Sequence, residues 1–338
     1  MSGVRRLRLV VMGTGPFAVP LFRALLGSPH EIVALVTRPD HAPPGRRPPP
    51  NPMRATAVAA GIPVLDPERV NAADSVAAIR GLAADLFVVC DYGQILSAEL
   101  LGAAPLGGIN LHGSLLPRHR GAAPIQGAIL AGDAVTGVSV IGMTPALDAG
   151  RVIAARATAI GPRETAADLE PRLAELGVGA VLDALERLEA AVAAGHDPAG
   201  VGIPQEEAKA TRAPRLTKAD GLVNWTRPAA AIERLRRALD PWPRAATFFT
   251  RADGERRRLV LAEVDLAPAD ESFDAAAAAT LPGTVLAAES GPESGRIVVA
   301  CGEGTALAIT RLVPEGKRVM TAGEFLRGSP LRPGVRLG

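Results

Sequence analysis

The chain of 338 residues is longer than one hydrophobic core usually organises, so two domains are expected, and a composition of 48% hydrophobic and 21% charged residues excludes an intrinsically disordered protein. A formal net charge of only +2 excludes nucleic-acid binding by bulk charge, leaving any such contact to local clusters of Lys and Arg. Cys90 and Cys301 stand far apart without CxxC spacing, which excludes a disulfide framework and a cysteine zinc site, and no run reaches the roughly 18 apolar residues of a membrane span. A cytoplasmic monomer without metal or membrane contact is the expectation.

Arg5, Arg6 and Arg8 accompany a short apolar run ending at Met12, which Gly13 and Gly15 interrupt too early for a signal-peptide core, so it reads as a first strand. The turn Gly13-Thr14-Gly15-Pro16 follows, then helical spacing of Val19, Phe22, Leu25 and Leu26. Pro16 and Phe17 occupy positions where a dinucleotide-binding loop needs small residues, which disfavours such a cofactor. A second strand over Ile32 to Thr37 leads into a Pro-rich, Arg-containing loop from Arg38 to Pro52, a helix through Ala60 and a short strand over Ile62 to Leu65. A helix over Ser75 to Leu82 precedes Leu86-Phe87-Val88-Val89, an unbroken apolar run of the kind a parallel sheet buries on both faces.

Next come a strand ending at His112, a helix from Pro124 to Leu130, an alternating run from Gly137 to Met143 and another apolar stretch near Val152. One or two amphipathic helices between Ala166 and Ala194 complete a doubly wound, mostly parallel α/β domain over residues 1–190. Gly195, Pro198, Gly200 and Gly202 mark a linker over 191–207. Beyond it, short strand-like runs at Leu222 to Trp225, Thr247 to Thr250, Leu259 to Val264, Gly283 to Ala287, Arg296 to Ala300 and Ala306 to Leu312 suggest a small β-barrel over 208–338. Ile232 to Leu239 reads as a helix in that region, and the alanine run at 275–279 as a loop insertion.

The chemistry concentrates where Asn110 and His112, two residues apart on a strand end, share one face at the carboxyl edge of the sheet. Asp148 follows in a turn after another strand, so an amide, an imidazole and a carboxylate can meet in one crevice. The His, Cys and carboxylate spacings offer no metal-ligand pattern.

The segment beginning Asn110-Leu-His-Gly-Ser-Leu-Leu-Pro-Arg-His-Arg-Gly-Ala-Ala-Pro-Ile resembles the signature of the methionyl-tRNA formyltransferase family and its folate-dependent relatives. The resemblance extends to Gly13-Thr-Gly-Pro-Phe-Ala, Arg38-Pro-Asp with Gly45-Arg46, Gly61-Ile-Pro-Val, Asp91-Tyr-Gly-Gln-Ile-Leu and Leu147-Asp148-Ala-Gly. In the second half it covers the segment from Ala210 to Asp220, Asn224-Trp225, Asp240-Pro-Trp-Pro and the stretch from Pro314 to Met320, whereas sugar formyltransferases share mainly the first half. It implies a formyltransferase-type Rossmann-like sheet, which binds folate and carries catalysis, followed by an OB-fold-like β-barrel that binds tRNA.

By the same resemblance the formyl donor is 10-formyltetrahydrofolate and the acceptor is the α-amino group of initiator methionyl-tRNA. Asn110 then donates to the developing oxyanion, and His112, ordinarily near pKa ~6.5, acts as general acid or polarises that oxygen. Asp148 either orients His112 or takes up the amine proton. Ser114, Leu115, Leu116 and Pro117 line the folate site, with Tyr92 and Ile95 against the pterin, while Arg46 and Arg47, and on the barrel Arg256 and Arg257, contact tRNA phosphates. Pro16, His119, Gly142 and Arg151 depart from the family pattern. The alternatives are a folate-dependent formyltransferase acting on an amino sugar nucleotide and a catalytically inactive RNA-binding homologue.

Overall fold

The computed structural model describes the chain apart from residues 1–5, 41–49, 252, 268–272, 274–275, 278 and 292–294. Its contacts divide it into two units: Met1–Ile125, Ala134–Ile160 and Asp168–Arg215 form the first, and Gln126–Asp133, Gly161–Ala167 and Leu216–Gly338 the second.

The first unit is built on β1 (Arg8–Met12), β2 (Glu31–Val36), β3 (Val64–Leu65), β4 (Leu86–Val89), β5 (Gly108–His112), β6 (Val135–Gly142) and β7 (Val152–Ala159), joined in the order β3-β2-β1-β4-β5-β6-β7. The first five run parallel, β6 pairs antiparallel with β5, and β7, antiparallel to β6, forms the edge. All four residues of β4 are buried, as the unbroken apolar run requires of a strand covered on both faces. The chain leaves β1 toward β2 and β3, then returns to the other side of β1 for β4 and β5. That reversal opens a crevice beyond the carboxyl ends of β1 and β4, where open α/β sheets bind ligands.

Helices α1 (Val19–Leu26), α2 (Pro52–Ala59), α3 (Ala73–Gly81), α4 (Ala98–Leu101), α5 (Pro124–Ala131) and α6 (Ala166–Ala193) follow in chain order. The 28 residues of α6 form one helix rather than two, with Pro171 inside it. Gly177 lets α6 approach β5 closely, for a Cβ there would stand 2.6 Å from Leu111 Cδ2. Leu111 therefore faces α6, and alternation along the strand turns Asn110 and His112 to the opposite side.

The second unit contains α7 (Ala229–Ala238), β8 (Ala246–Thr250), β9 (Arg256–Leu266), β10 (Val285–Glu289), β11 (Arg296–Ala300), β12 (Ala306–Pro314), β13 (Met320–Thr321) and α8 (Ala322–Gly328). Its strands form a curled antiparallel half-barrel in the order β10-β11-β12-β9-β8, with β13 beside β12. Inward residues Leu259, Leu261, Ile297, Val299, Leu307 and Ile309 gather with Trp225, Ile232 and Phe325 into one core. Thr321 and Glu324 cap α8 reciprocally, and Phe325 meets Phe249 edge-on with ring centroids 5.3 Å apart. Two expectations need correction. Leu222 to Trp225 forms a single bridge, Leu222 to Ala246, rather than a strand, and the buried Trp225 indole donates to Thr247 Oγ1 at 3.0 Å. Ala277, in the alanine run expected as a loop, is buried among Val298, Ala300, Ala306 and Ala308.

Candidate active site

Strand β5 carries Asn110 and His112 to the edge of the crevice. Asn110 is half-buried, held through its backbone between Val89 of β4 and Ile141 of β6, and its side-chain amide makes no hydrogen bond to another described residue. Its NH₂ is therefore free to donate to a ligand.

His112 is buried, and its Nε2 lies 3.0 Å from the carbonyl oxygen of His119. A carbonyl only accepts, so Nε2 bears the proton and Nδ1 presents a lone pair. That lone pair faces Asp148 Oδ2 at 3.8 Å, too long for a hydrogen bond but close enough for a strong charge effect. Asp148 Oδ2 also accepts the Gly121 N–H at 2.8 Å, which anchors the carboxylate beside the ring. The three groups that the sequence spreads over 38 positions thus lie in the first unit, with His112 and Asp148 in direct apposition.

Burial pushes the His112 pKa below its ordinary 6.5, overriding the upward pull of Asp148 and of the His119 carbonyl. The imidazole is consequently neutral at neutral pH. The ordinary value near 6.5 used in the sequence reading takes no account of this buried setting.

The loop after β5 is stapled by Ser139 of β6, whose Oγ donates to Ser114 O at 2.8 Å and accepts from Leu116 N at 3.0 Å. Ser114 is itself buried and its Oγ donates to Arg118 O at 2.6 Å, so its hydroxyl shapes the loop rather than facing a ligand. Leu115, Leu116 and Pro117 are half-buried on that loop. Tyr92 and Ile95 separate: Tyr92 is buried in the core cluster with Val10, Phe87 and Leu96, whereas Ile95 is 67% exposed. The Tyr92 hydroxyl accepts from Gln94 Nε2 at 3.4 Å, and burial pushes its pKa up to about 12. An inward-facing ring makes it a support for the crevice wall.

At the reversal point Asp91 adopts a φ of 50° and turns its carboxyl onto Gly15, where a Cβ would stand 1.8 Å from Oδ2. Asp91 is exposed, but desolvation of its carboxyl beside Gly15, followed by the charge of Glu170, raises its pKa to about 6 against the opposing Gly15 N–H. Sequence reading gave Asp91 no role, because nothing in the motif shows the carboxyl folding back.

Arg46 and Arg47 lie outside the described residues. In the second unit, Arg256 stacks its guanidinium 4.2 Å from the Phe248 ring centroid, and Arg257 pairs with Glu255 at 2.7 Å. Among the described residues no group of three or more His, Cys, Asp or Glu side chains is arranged to hold a metal, and no helix is long and apolar enough to cross a membrane.

The stretch expected as a linker continues into a strap that belongs to the first unit. Ile203 exchanges two backbone hydrogen bonds with Val152 at 2.8 and 2.9 Å, and Arg151 donates to Gly202 O at 3.0 and 2.7 Å. Farther along, Thr211 O accepts from Arg120 N at 2.8 Å, Ala213 N donates to Arg120 O at 2.7 Å, and Thr211 Oγ1 accepts from His119 N at 2.8 Å. The strap therefore grips the segment whose carbonyl holds His112. Sequence reasoning missed it because its ties reach partners 51 or more residues away in the chain, which composition does not reveal.

A parallel sheet with an amide, an imidazole and a carboxylate at its carboxyl edge, followed by an antiparallel half-barrel, defines a two-unit group-transfer enzyme of the formyltransferase fold. Residues 6–185 match the family model described as formyl transferase, and residues 215–330 that of the formyl transferase C-terminal domain. The chain belongs to the formyl transferase family. It is 42% identical over 339 residues to the methionyl-tRNA formyltransferase of Rhodopirellula baltica, covering 98% of this chain and 96% of the relative. It is likewise 42% identical over 335 residues to that of Acidiphilium cryptum, covering 98% and 100%. Among solved structures, HypX from Aquifex aeolicus in complex with tetrahydrofolic acid shares the fold at a TM-score of 0.57 and 18% identity, over 99% of this chain; the chain spans about half of HypX, at 51%.

Proposed function

We propose that this chain transfers the formyl group of 10-formyltetrahydrofolate to the α-amino group of initiator methionyl-tRNA, with the first unit carrying catalysis and the second contributing to tRNA binding. The observation that carries the reading is a 42% identity to methionyl-tRNA formyltransferases that runs through both units. An amino-sugar acceptor is not favoured, because that likeness includes the whole second half of the chain.

The residues divide the work. The folate supplies the activated formyl carbon. As the amine attacks, charge grows on the formyl oxygen, and the unengaged Asn110 amide donates to it; one such donor is worth about 3 to 4 kcal/mol. His112 enters neutral, with Nε2 committed to His119 O, so Nδ1 takes up the proton that the amine gives away. The Asp148 carboxylate 3.8 Å away stabilises the imidazolium that forms. His112 then returns that proton to the leaving folate nitrogen as the carbon–nitrogen bond breaks. Leu115, Leu116 and Pro117 present an apolar wall on which a pterin can lie. Placing a neutral base at His112 assigns Asp148 to orientation and charge stabilisation rather than to independent base chemistry.

Charged initiator tRNA incubated with the protein and 10-formyltetrahydrofolate, with elongator methionyl-tRNA as control, should gain the mass of one formyl group on its aminoacyl moiety. No gain on the initiator, or equal gain on both tRNAs, would defeat this reading.

A further inference from the structure

Gln205 belongs to the strap, outside every strand and outside the residues assigned to the chemistry. Its Nε2 donates to the backbone carbonyl oxygens of both Asp148 and Gly150, at 2.8 Å each. Its Oε1 accepts from Nε and Nη2 of Arg120 at 3.1 and 2.9 Å. Both N–H bonds of the amide are used, and the Arg120 fork fixes which end of the side chain is oxygen.

The bridged turn needs such support. Asp148 has a φ of 50°, in the left-handed region that L-residues occupy only when their surroundings hold them there. Gln205 ties down this turn at Asp148 and two residues later. The opposite end of the same bridge is Arg120, which directly precedes Gly121, the residue whose N–H binds the Asp148 carboxylate at 2.8 Å. One amide thus closes a loop in which backbone, carboxylate and Arg120 side chain constrain each other. The Arg120 side chain is only 12% exposed and is further anchored by Glu207 at 2.9 Å, so the anchor point is itself fixed.

We propose that Gln205 is a positioning residue of the formyl-transfer site, holding the Asp148 turn so that the carboxylate faces His112. The inference rests on the reading of Asp148 given under Proposed function. Gln205 touches no reacting atom; it acts through Asp148, and misplacement by about 1 Å of a group facing the chemistry can reduce rate on the order of 10²-fold.

Two variants separate positioning from simple attachment of the strap. Gln205→Ala removes all four hydrogen bonds, whereas Gln205→Glu keeps an acceptor for Arg120 and replaces the N–H donors with a carboxylate oxygen that the Asp148 and Gly150 carbonyls repel. Steady-state formylation of initiator methionyl-tRNA should show kcat lowered at least about tenfold in both, with KM for tRNA and for 10-formyltetrahydrofolate within about threefold of the natural chain. The acid limb of the kcat profile should also move to lower pH, because a loosened Asp148 no longer opposes the effect of burial on His112. If Gln205→Ala fails to fold, Gln205→Glu carries the test alone, since it retains the tie to Arg120. Natural kcat and an unmoved pH profile in Gln205→Glu would overturn the inference, as would a loss confined to KM. A natural chain inert toward initiator methionyl-tRNA would overturn the reaction assigned above, and the inference with it.

Discussion

In the proposed reaction Asn110 acts through an amide that makes no hydrogen bond to another described residue. Replacing it by Ala removes one oxyanion donor and little packing, so kcat should fall about 10²- to 10³-fold while the thermal midpoint stays near that of the natural chain. At His112, depression of the pKa below 6.5 makes the neutral ring the working form at physiological pH. The kcat profile should therefore reach half-loss only below pH 6.5; half-loss at or above pH 6.5 would contradict the buried, neutral imidazole. The same depression links to stability with a definite sign. The folded state resists protonating His112, so its contribution is present above pH 6.5 and is lost as pH falls through the lower folded value.

Asp91 has the opposite sign. Its folded pKa of about 6 lies above the ordinary 3.8, so its contribution is fully present below 3.8 and disappears as pH rises through 6. Asp91→Asn should gain stability relative to the natural chain at pH 8 and not at pH 3.5, and carbon-detected NMR should find the Asp91 carboxyl titrating near 6. A midpoint near 3.8 would show that neither desolvation beside Gly15 nor Glu170 raises this carboxyl. Asn110, His112 and Asp148 were proposed from two separate sequence motifs, one beginning at Asn110 and one at Leu147. The lowered pKa of His112 and the raised pKa of Asp91 were not legible, since both depend on residues distant in the chain. Ser114 and Tyr92 were named for the folate site, but which way their side chains turn is settled by Arg118 and by the core.

Among the elements, β5 and α6 position the site together. Gly177→Val would drive two methyl groups into Leu111, and overpacking of this kind destabilises by about 1 to 3 kcal/mol. Denaturant unfolding should show a lower midpoint at unchanged slope, and adding Leu111→Ala should recover part of the loss by making room. Strictly additive effects would mean that the helix and strand are not in the close contact described. The apolar runs of β1, β4 and β5 were readable because a parallel sheet buries both faces of its strands. The antiparallel pairing of β6 with β5 and β7 was not readable, for alternation and apolarity do not encode direction. Gly195, Pro198, Gly200 and Gly202 have the composition of a connection, and the ties made farther along by Ile203, Gln205 and Thr211 were not readable because their partners are distant in the chain.

For the molecule as a whole, the two-part organisation follows from chain length and from the change in pattern after residue 207. The half-barrel was foreshadowed by short runs separated by turn residues, while the single bridge at Leu222 and the Trp225 indole's bond to Thr247 depend on partners farther along the chain. Contacts with a polyanion belong to this level. Arg256 lies over Phe248, which holds its guanidinium out in a defined orientation, whereas Arg257 is already paired with Glu255. Arg256→Ala should raise KM for tRNA, leave kcat unchanged and reduce the salt dependence of binding by about one unit of slope, and Arg257→Ala should do less. Equal salt slopes for the natural chain and Arg256→Ala would remove Arg256 from the RNA-binding surface.

The amide, imidazole and carboxylate at the end of the sheet can be tested together by single-turnover formyl transfer to initiator methionyl-tRNA with Asn110→Ala, His112→Ala and Asp148→Ala, each confirmed to be folded. Every variant should lose at least about 10²-fold in rate. A folded His112→Ala protein that transfers formyl at nearly the natural rate would contradict the assignment.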